Sequence, residues 1–285
     1  MDSKLNEHFS VSAEKPLYHY TSLSSLVGIA TRRELWASHV YYLNDSKEII
    51  HACELLDRTL DDQSILDPDL RRSNFFEHLR RWVGELKGRR FHLFVFSLSE
   101  ERSLLSQWRS YTTHGKGVSI EFSTGLVKQL AQDNKLRLGR CLYHESEHHE
   151  LLANVVQYLL DRFENCPNIG DDYLEYAQLF EDYHDTVLSA LYLIKHGSFS
   201  EEKEWRLIMS SEFAYPQVSY REGATMMIPY VALKIGPGRV FNSILLGPCE
   251  NIELALYSMT GFLGRHEICK AVAPSYIPYR EWKKN

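Results

Sequence analysis

In the run Glu-Lys-Glu-Trp-Arg-Leu-Ile from Glu202 to Ile208, Glu202, Glu204 and Arg206 fall at every second position, with Trp205 and Leu207 on the other parity. A period of two is the signature of a strand, with successive side chains on opposite faces. One face of this strand then carries two carboxylates and a guanidinium. Ionised groups are kept inside a sheet only when they are paired or meet a ligand. The chain must therefore build either an ion-pair ladder here or a cleft in which acids face a substrate. Glu202 and Glu204 repel, and Arg206 relieves that only in part. For a poised site this predicts that Glu204→Gln leaves stability equal or higher while removing activity.

A second polar interruption lies near the other end. Tyr18-His19-Tyr20-Thr21 places a histidine in a strand just before a helix. A lone strand histidine is commonly a satisfied core residue, yet hydroxyls and rings flank this one. His19, Asn44, Trp108 and Glu204 interrupt otherwise apolar runs, which predicts one cleft assembled from distant parts of the chain.

Composition narrows the classes. The 285 residues suit a single α+β domain, and 17 Tyr, 13 Phe and 5 Trp suit a core or cleft that stacks planar groups. The net charge of −6 argues against a generic nucleic-acid binder. Charge is nevertheless polarised. Seven cations between Arg71 and Arg90 face only Glu77 and Glu85, whereas eleven acids between Glu145 and Asp185 face only Arg162. The basic face is a candidate surface for nucleic acid, the acidic one for a protein partner, and solvated helix faces are the plain alternative. Cys53, Cys141, Cys166, Cys249 and Cys269 form no paired metal-ligand motif. No apolar run approaches the ~20 residues that cross a bilayer, so a cytoplasmic protein without membrane contact is expected.

Along the chain, residues 1–15 read as a flexible tail and 16–285 as one α+β domain, with helical insertions at about 46–90 and 146–196. Strands are expected at 17–20, 91–97, 118–122, 136–143, 204–209, 226–235, 243–246 and 267–271. Helices are expected at 22–32, 46–60, 70–87, after Glu101 through Trp108, and at 147–165, 172–196 and 252–263. Residues 34–43 read as extended, ending in an Asn44-Asp45 turn.

His144-Glu145-Ser146-Glu147-His148 fits the spacing of a zinc-hydrolase helix. Its intervening residues are polar, it begins at a strand end, and only Glu164 offers a third ligand. A solvated helix start without metal is the expectation. Ser97 and Ser99 lack the setting of a serine nucleophile.

Leu17–Leu23 (LYHYTSL), Glu34–Ser38 (ELWAS), Tyr41–Asp45 (YYLND), Phe96–Glu100 (FSLSE), Gln107–Tyr111 (QWRSY), Gly115–Phe122 (GKGVSIEF), Glu201–Ile208 (EEKEWRLI) and Ile244–Pro248 (ILLGP) together resemble a bacterial family of unknown function. A looser resemblance is to ADP-ribosyltransferases of the DarT and RNA 2′-phosphotransferase kind, through the strand histidine and the late Glu-x-Glu. That resemblance implies a split antiparallel sheet and NAD as substrate. It implies His19 on the ribose, Glu204 as the acid promoting glycosidic cleavage, and Glu202 as the preceding acid. Tyr42, Trp108 or Tyr111 would stack on nicotinamide, since Ser97 stands in the strand where a tyrosine is expected. Tyr20, Thr21, Asn44, Asp45, Ser97 and Arg206 complete the implied cofactor contacts. Arg206 would either keep Glu204 ionised or hold the pyrophosphate. The implied activity is ADP-ribosyl transfer to an unnamed acceptor, nucleic acid among the options, in a toxin or phage-defence setting. NAD hydrolysis and a catalytically inactive nucleotide-binding module are the alternatives.

Overall fold

The computed structural model describes residues 4–43, 48–64, 69–89, 91–112, 117–166, 169–209, 217–223, 225–275 and 277. Its strands are β1 (Leu17–Ser22), β2 (Glu34–His39), β3 (Phe94–Ser99), β4 (Gly117–Phe122), β5 (Arg137–Arg140), β6 (Glu204–Met209), β7 (Val218–Glu222), β8 (Met227–Lys234), β9 (Phe241–Leu246) and β10 (Cys269–Pro274). They form one ten-stranded sheet of mixed α+β type. Every strand pair is antiparallel except β9 with β10.

The sheet forks at β3. One edge of β3 pairs with β6 along its whole length, Phe94 opposite Met209 through to Ser99 opposite Glu204. Its other edge is shared. β2 takes the start, at Phe94 and Val95, and β1 takes the end, through Tyr18 opposite Ser99. From the fork one wing runs β1-β4-β9-β10 and the other β2-β8-β7.

Helices cover both faces. Apolar positions at helical spacing in α3 (Glu48–Ser64), α4 (Leu70–Leu86), α7 (Glu145–Glu164), α8 (Tyr173–Asp182) and α9 (His184–Leu191) form one core with Val95 and Ile208. Helices α2 (Leu23–Arg32), α6 (Thr124–Asp133) and α10 (Ile252–His266) form the other, against Phe94, Phe96, Leu98 and Leu207. The alternation of Leu207 and Ile208 between these cores is the period-two pattern made physical. Ser22 caps α2 by accepting from the Ser25 amide at 3.1 Å. A last helix, α5 (Leu105–Tyr111), follows β3.

Three expectations change. The segment read as a loose tail contains helix α1 (Lys4–Ser10), with Leu5 fully buried in the first core. Leu5 and the partly buried Phe9 dock this short helix, and two apolar residues in a polar stretch are too few to show as periodicity. The single helix expected over 172–196 is broken at Tyr183, whose φ of −117° is not helical. Helix α6 and strand β7 lie in segments that sequence reading left unassigned.

The described cations of the basic run have partners within the chain. Arg72 pairs with Glu164, Arg89 with Glu181, Arg80 with Asp61 and Lys87 with Asp57. Arg71 donates to the Cys166 carbonyl at 3.0 Å, and Arg81 lies 3.6 Å over the Tyr173 ring. Arg90 lies outside the described residues. Two of these pairs join the basic run to the acidic region, at Glu164 and Glu181, and two join it to α3, at Asp57 and Asp61. Each exposed pair is worth little, between 0 and about 1 kcal/mol.

Gly117 opens β4 where nothing larger fits. A Cβ there would lie 2.0 Å from Thr112 Cγ2 and 2.9 Å from the Thr21 carbonyl oxygen. Thr112 is buried and the carbonyl is backbone, so neither can yield cheaply. Gly117→Ala is expected to cost about 1–3 kcal/mol by overpacking, read as a fall of several degrees in Tm by scanning fluorimetry.

Candidate active site at the fork

On the first-core face of β6, Arg206 is 2% exposed and its donors are all used within the fold. Nε donates to Glu204 Oε1 at 2.9 Å, and Nη2 to Glu204 Oε2 at 3.0 Å and Glu48 Oε1 at 2.9 Å. Nη1 donates to Glu48 Oε2 at 2.8 Å and to the Tyr192 carbonyl at 2.6 Å. A guanidinium has five N–H groups, so none remains for a pyrophosphate. The alternative expectation for Arg206, a partner for Glu204, describes its geometry here.

Lys195 Nζ donates to both Glu204 Oε2 and Glu202 Oε2. Three carboxylates (Glu48, Glu202, Glu204) thereby surround two cations in a nearly dry interior. Burial alone would raise the Glu204 carboxyl, but Arg206 and Lys195 overcome it and hold the group well below the usual carboxylate range. Glu202 goes the other way: burial pushes it up, and Lys195 offsets only part. Two neighbouring carboxyls on one ammonium therefore differ in acidity. Glu202 is not on the strand as expected. It ends a 3-10 turn (Gly197–Glu202), and Lys203 takes a left-handed φ of 43° before β6 begins. Above the strand start, the Tyr143 hydroxyl accepts from the Glu204 amide at 2.8 Å.

His19 occupies the fork itself. Between the positions of β3 taken by β2 and by β1, the Ser97 carbonyl accepts a hydrogen bond from His19 Nδ1 at 2.9 Å. A carbonyl only accepts, so Nδ1 carries the proton. Burial pushes the imidazole pKa down to about 4, against the opposing Ser97 bond. At neutral pH the ring is uncharged, with Nε2 a free acceptor. The ring stacks on Phe96, centroids 4.3 Å apart. Strand parity therefore sets the His19 side chain toward the second core, whereas Glu204 points toward the first.

Residues of both sides nevertheless line one small cleft at the fork, about 50 Å³, formed by Tyr18, His19, Tyr20, Ser97, Leu98, Ser99, Gln107, Tyr111, Glu202 and Glu204. Several anticipated residues lie elsewhere. Trp108 is buried beside Tyr20, edge to face at 5.0 Å, with Nε1 donating to Ser103 Oγ. It packs behind the cleft and is not among its lining residues. Tyr42 packs against His39, and Thr21 is not among the lining residues. Tyr20 lines the cleft, but its hydroxyl donates to the Glu101 carbonyl at 2.6 Å and accepts from the Leu104 amide at 2.8 Å. Asn44 and Asp45 lie outside the described residues.

Glu48, Lys195, Tyr143 and Gln107 escaped the sequence reading. Glu48 shares the buried stripe of α3 with Ala52 and Leu56, and Lys195 ends the apolar run Val187–Ile194. An ionisable residue on an apolar stripe was the available signal for both. The zinc-like motif straddles the start of α7. Glu147 accepts from the Tyr143 and His144 amides, and His148 directs Nε2 at the Leu142 carbonyl, 2.8 Å away. Among the described residues no group of three or more His, Cys, Asp or Glu is placed to hold a metal ion. Nor is any described helix long and apolar enough to cross a membrane.

Residues 107–207 match the family described as "Protein of unknown function (DUF2971)". That span covers Gln107, Tyr111, Tyr143, Lys195, Glu202, Glu204 and Arg206, and leaves out His19 and Glu48. The match supports a family of unassigned function over the carboxylate half of the site. No curated protein matches the chain.

Of the two outcomes open for Glu204→Gln, loss of stability from a structural face or none from a poised site, the paired network favours the first. Glu204→Gln removes the charge that Arg206 and Lys195 share, and breaking a buried pair from one side costs about 3–5 kcal/mol. A fall in Tm of several degrees is expected, whereas Glu202→Gln removes a carboxylate that burial already disfavours and should leave Tm within about 2 °C. Thermal unfolding of the two variants side by side checks this.

Acid sensitivity should set in above the carboxylate range. Burial also pushes His39 down to about 4, and its Nδ1 accepts from the Tyr41 amide. For both His19 and His39 the unfolded chain, titrating near 6.5, binds more protons than the native state. Stability is therefore full above about pH 6.5 and is lost as pH falls toward 4, on the order of 2 kcal/mol per histidine by pH 5. Glu204, depressed in the fold, adds a further loss below about pH 4.3. Tm should fall between pH 7 and 5, and less steeply in His39→Asn, which keeps an acceptor for Tyr41 but does not titrate.

Proposed function

We propose that the fork cleft is an active site for cleavage of the nicotinamide–ribose bond of NAD, with transfer of ADP-ribose to an acceptor. The observation that carries this reading is one cleft lined by His19, Glu202 and Glu204, the first with a neutral ring and the other two with environments that drive their acidities apart. Cleavage proceeds through an oxocarbenium-like state, as in glycoside hydrolysis. Glu204, held ionised, supplies fixed negative charge where positive charge develops on C1′ and the ring oxygen. The C1′–N bond breaks with its electron pair leaving on nicotinamide. The acceptor's oxygen or nitrogen then bonds C1′ while its proton passes to Glu202, the carboxyl with the higher pKa. His19 Nε2 accepts from a ribose hydroxyl, and the exposed ring of Tyr111 offers a stacking surface at the cleft. With water as acceptor the same steps hydrolyse NAD.

A second reading is a nucleotide-binding module without turnover. The bonding of Glu204 favours it, since Arg206 and Lys195 already take both carboxylate oxygens. The cleft itself is about 50 Å³, so a dinucleotide would lie mostly across its mouth.

Purified protein incubated with NAD, with and without cell extract, should release nicotinamide detectable by chromatography. Glu202→Gln is expected to reduce release by about 10²–10⁴-fold with Tm unchanged. Absence of release by the wild-type protein under both conditions, with NAD still protecting it thermally, would favour the binding module.

A further inference from the structure

The wing β2-β8-β7 carries a second polar cluster, away from the fork. Strand register sets Ser38 and Ser219 opposite Tyr230, Trp36 opposite Ala232, and Arg221 opposite Ile228. Trp36, Ser38, Tyr230 and Arg221 therefore share one face, while Leu35, Ala37, Val231 and Leu233 turn to the second core. On the outer face the Trp36 and Tyr230 rings lie 4.5 Å apart at 33°. The Arg32 guanidinium, from the last turn of α2, stands 5.3 Å from the Trp36 ring centroid, and that of Arg221 stands 6.0 Å away.

Two features leave this cluster incomplete. Neither arginine meets a carboxylate among the described ion pairs, and the neighbouring Glu34 is held by Lys234. Trp36 Nε1 and Arg221 Nε are buried donors without an acceptor. Arg221 is held by one long bond, from Nη2 to Ser38 Oγ at 3.3 Å. Buried donors without acceptors are rare and call for one. The unmet chemistry is thus donor-only and cationic, set against two aromatic rings.

We propose that this face binds one nucleotide of a single-stranded nucleic acid, its base stacked on Trp36 and Tyr230 and its phosphate held by Arg221 and Arg32. A phosphate supplies the negative charge that the Arg32 and Arg221 guanidinium groups lack and an acceptor for their outer N–H groups, and an unpaired base supplies the planar face. A duplex buries its bases in the stack and cannot offer that face. This surface and the fork cleft stand or fall separately, because the proposal concerns binding and needs no turnover of NAD.

Anisotropy of a fluorescent thymidine dodecamer at low salt tests it on the full chain. The dodecamer is expected to bind, and to bind at least tenfold more tightly than dTMP competes. Arg221→Ala and Trp36→Ala should each weaken it at least tenfold. Removing one arginine should reduce the slope of log affinity against log salt by about 0.7. Trp36→Phe keeps a ring and loses the N–H, and should fall between wild type and Trp36→Ala. Arg32→Ala, on an exposed side chain, keeps the test alive if Trp36→Ala does not fold. Failure of the dodecamer to bind, binding that these variants leave unchanged, or dTMP competing as tightly as the dodecamer would overturn the proposal.

Discussion

The guanidinium of Arg206 is the tie on which the arrangement depends. It joins β6 to α3 through Glu48, to the end of α9 through the Tyr192 carbonyl, and to its own strand through Glu204. An unpaired buried cation would be costly by several kcal/mol. Its two carboxylates are therefore structural requirements as much as chemical groups. Lys195 extends the tie to Glu202, so the 3-10 turn before β6 is anchored to the same cluster. The position of the site's carboxylates follows from packing an arginine into a sheet face.

How much of this was legible varies with the kind of signal. Strand β6 was readable from the alternation Glu204-Trp205-Arg206-Leu207, but the same pattern drew Glu202 onto the strand, where it does not lie. Helix α4 was equally clear from Phe75, Phe76, Leu79, Trp82, Val83 and Leu86. Helix α1 was not, since only Leu5, buried, and Phe9, partly buried, dock it against the first core. In the site, His19 and Glu204 stood out as polar residues in apolar strands, but their facing could not be read. The fork changes which neighbours a strand position meets, and no local pattern encodes a shared strand edge. Trp108 illustrates the same limit. A tryptophan on a short helix looks alike whether it lines a cleft or packs behind one.

Part of the charge asymmetry is used within the molecule. Arg72 of α4 meets Glu164 of α7, and Arg89, just past the end of α4, meets Glu181 of α8. Complementary charge in one chain is first available to that chain. By contrast, the cations on the β2-β8-β7 face arrive singly from α2 and β7, and composition could not have flagged them.

The fork has a mechanical consequence for the sheet. Adjacent strands rotate by about 20–25° each, and broad open sheets commonly curl, flatten or divide under that accumulated twist. Here β1 and β2 both hang from β3 without pairing to one another. Coiling in one wing therefore need not be transmitted rung by rung to the other. The His19 imidazole closes the resulting gap with a bond to the Ser97 carbonyl, one side-chain stitch where a ladder would have continued. Such a seam lets ten strands share a sheet while each wing keeps its own curvature.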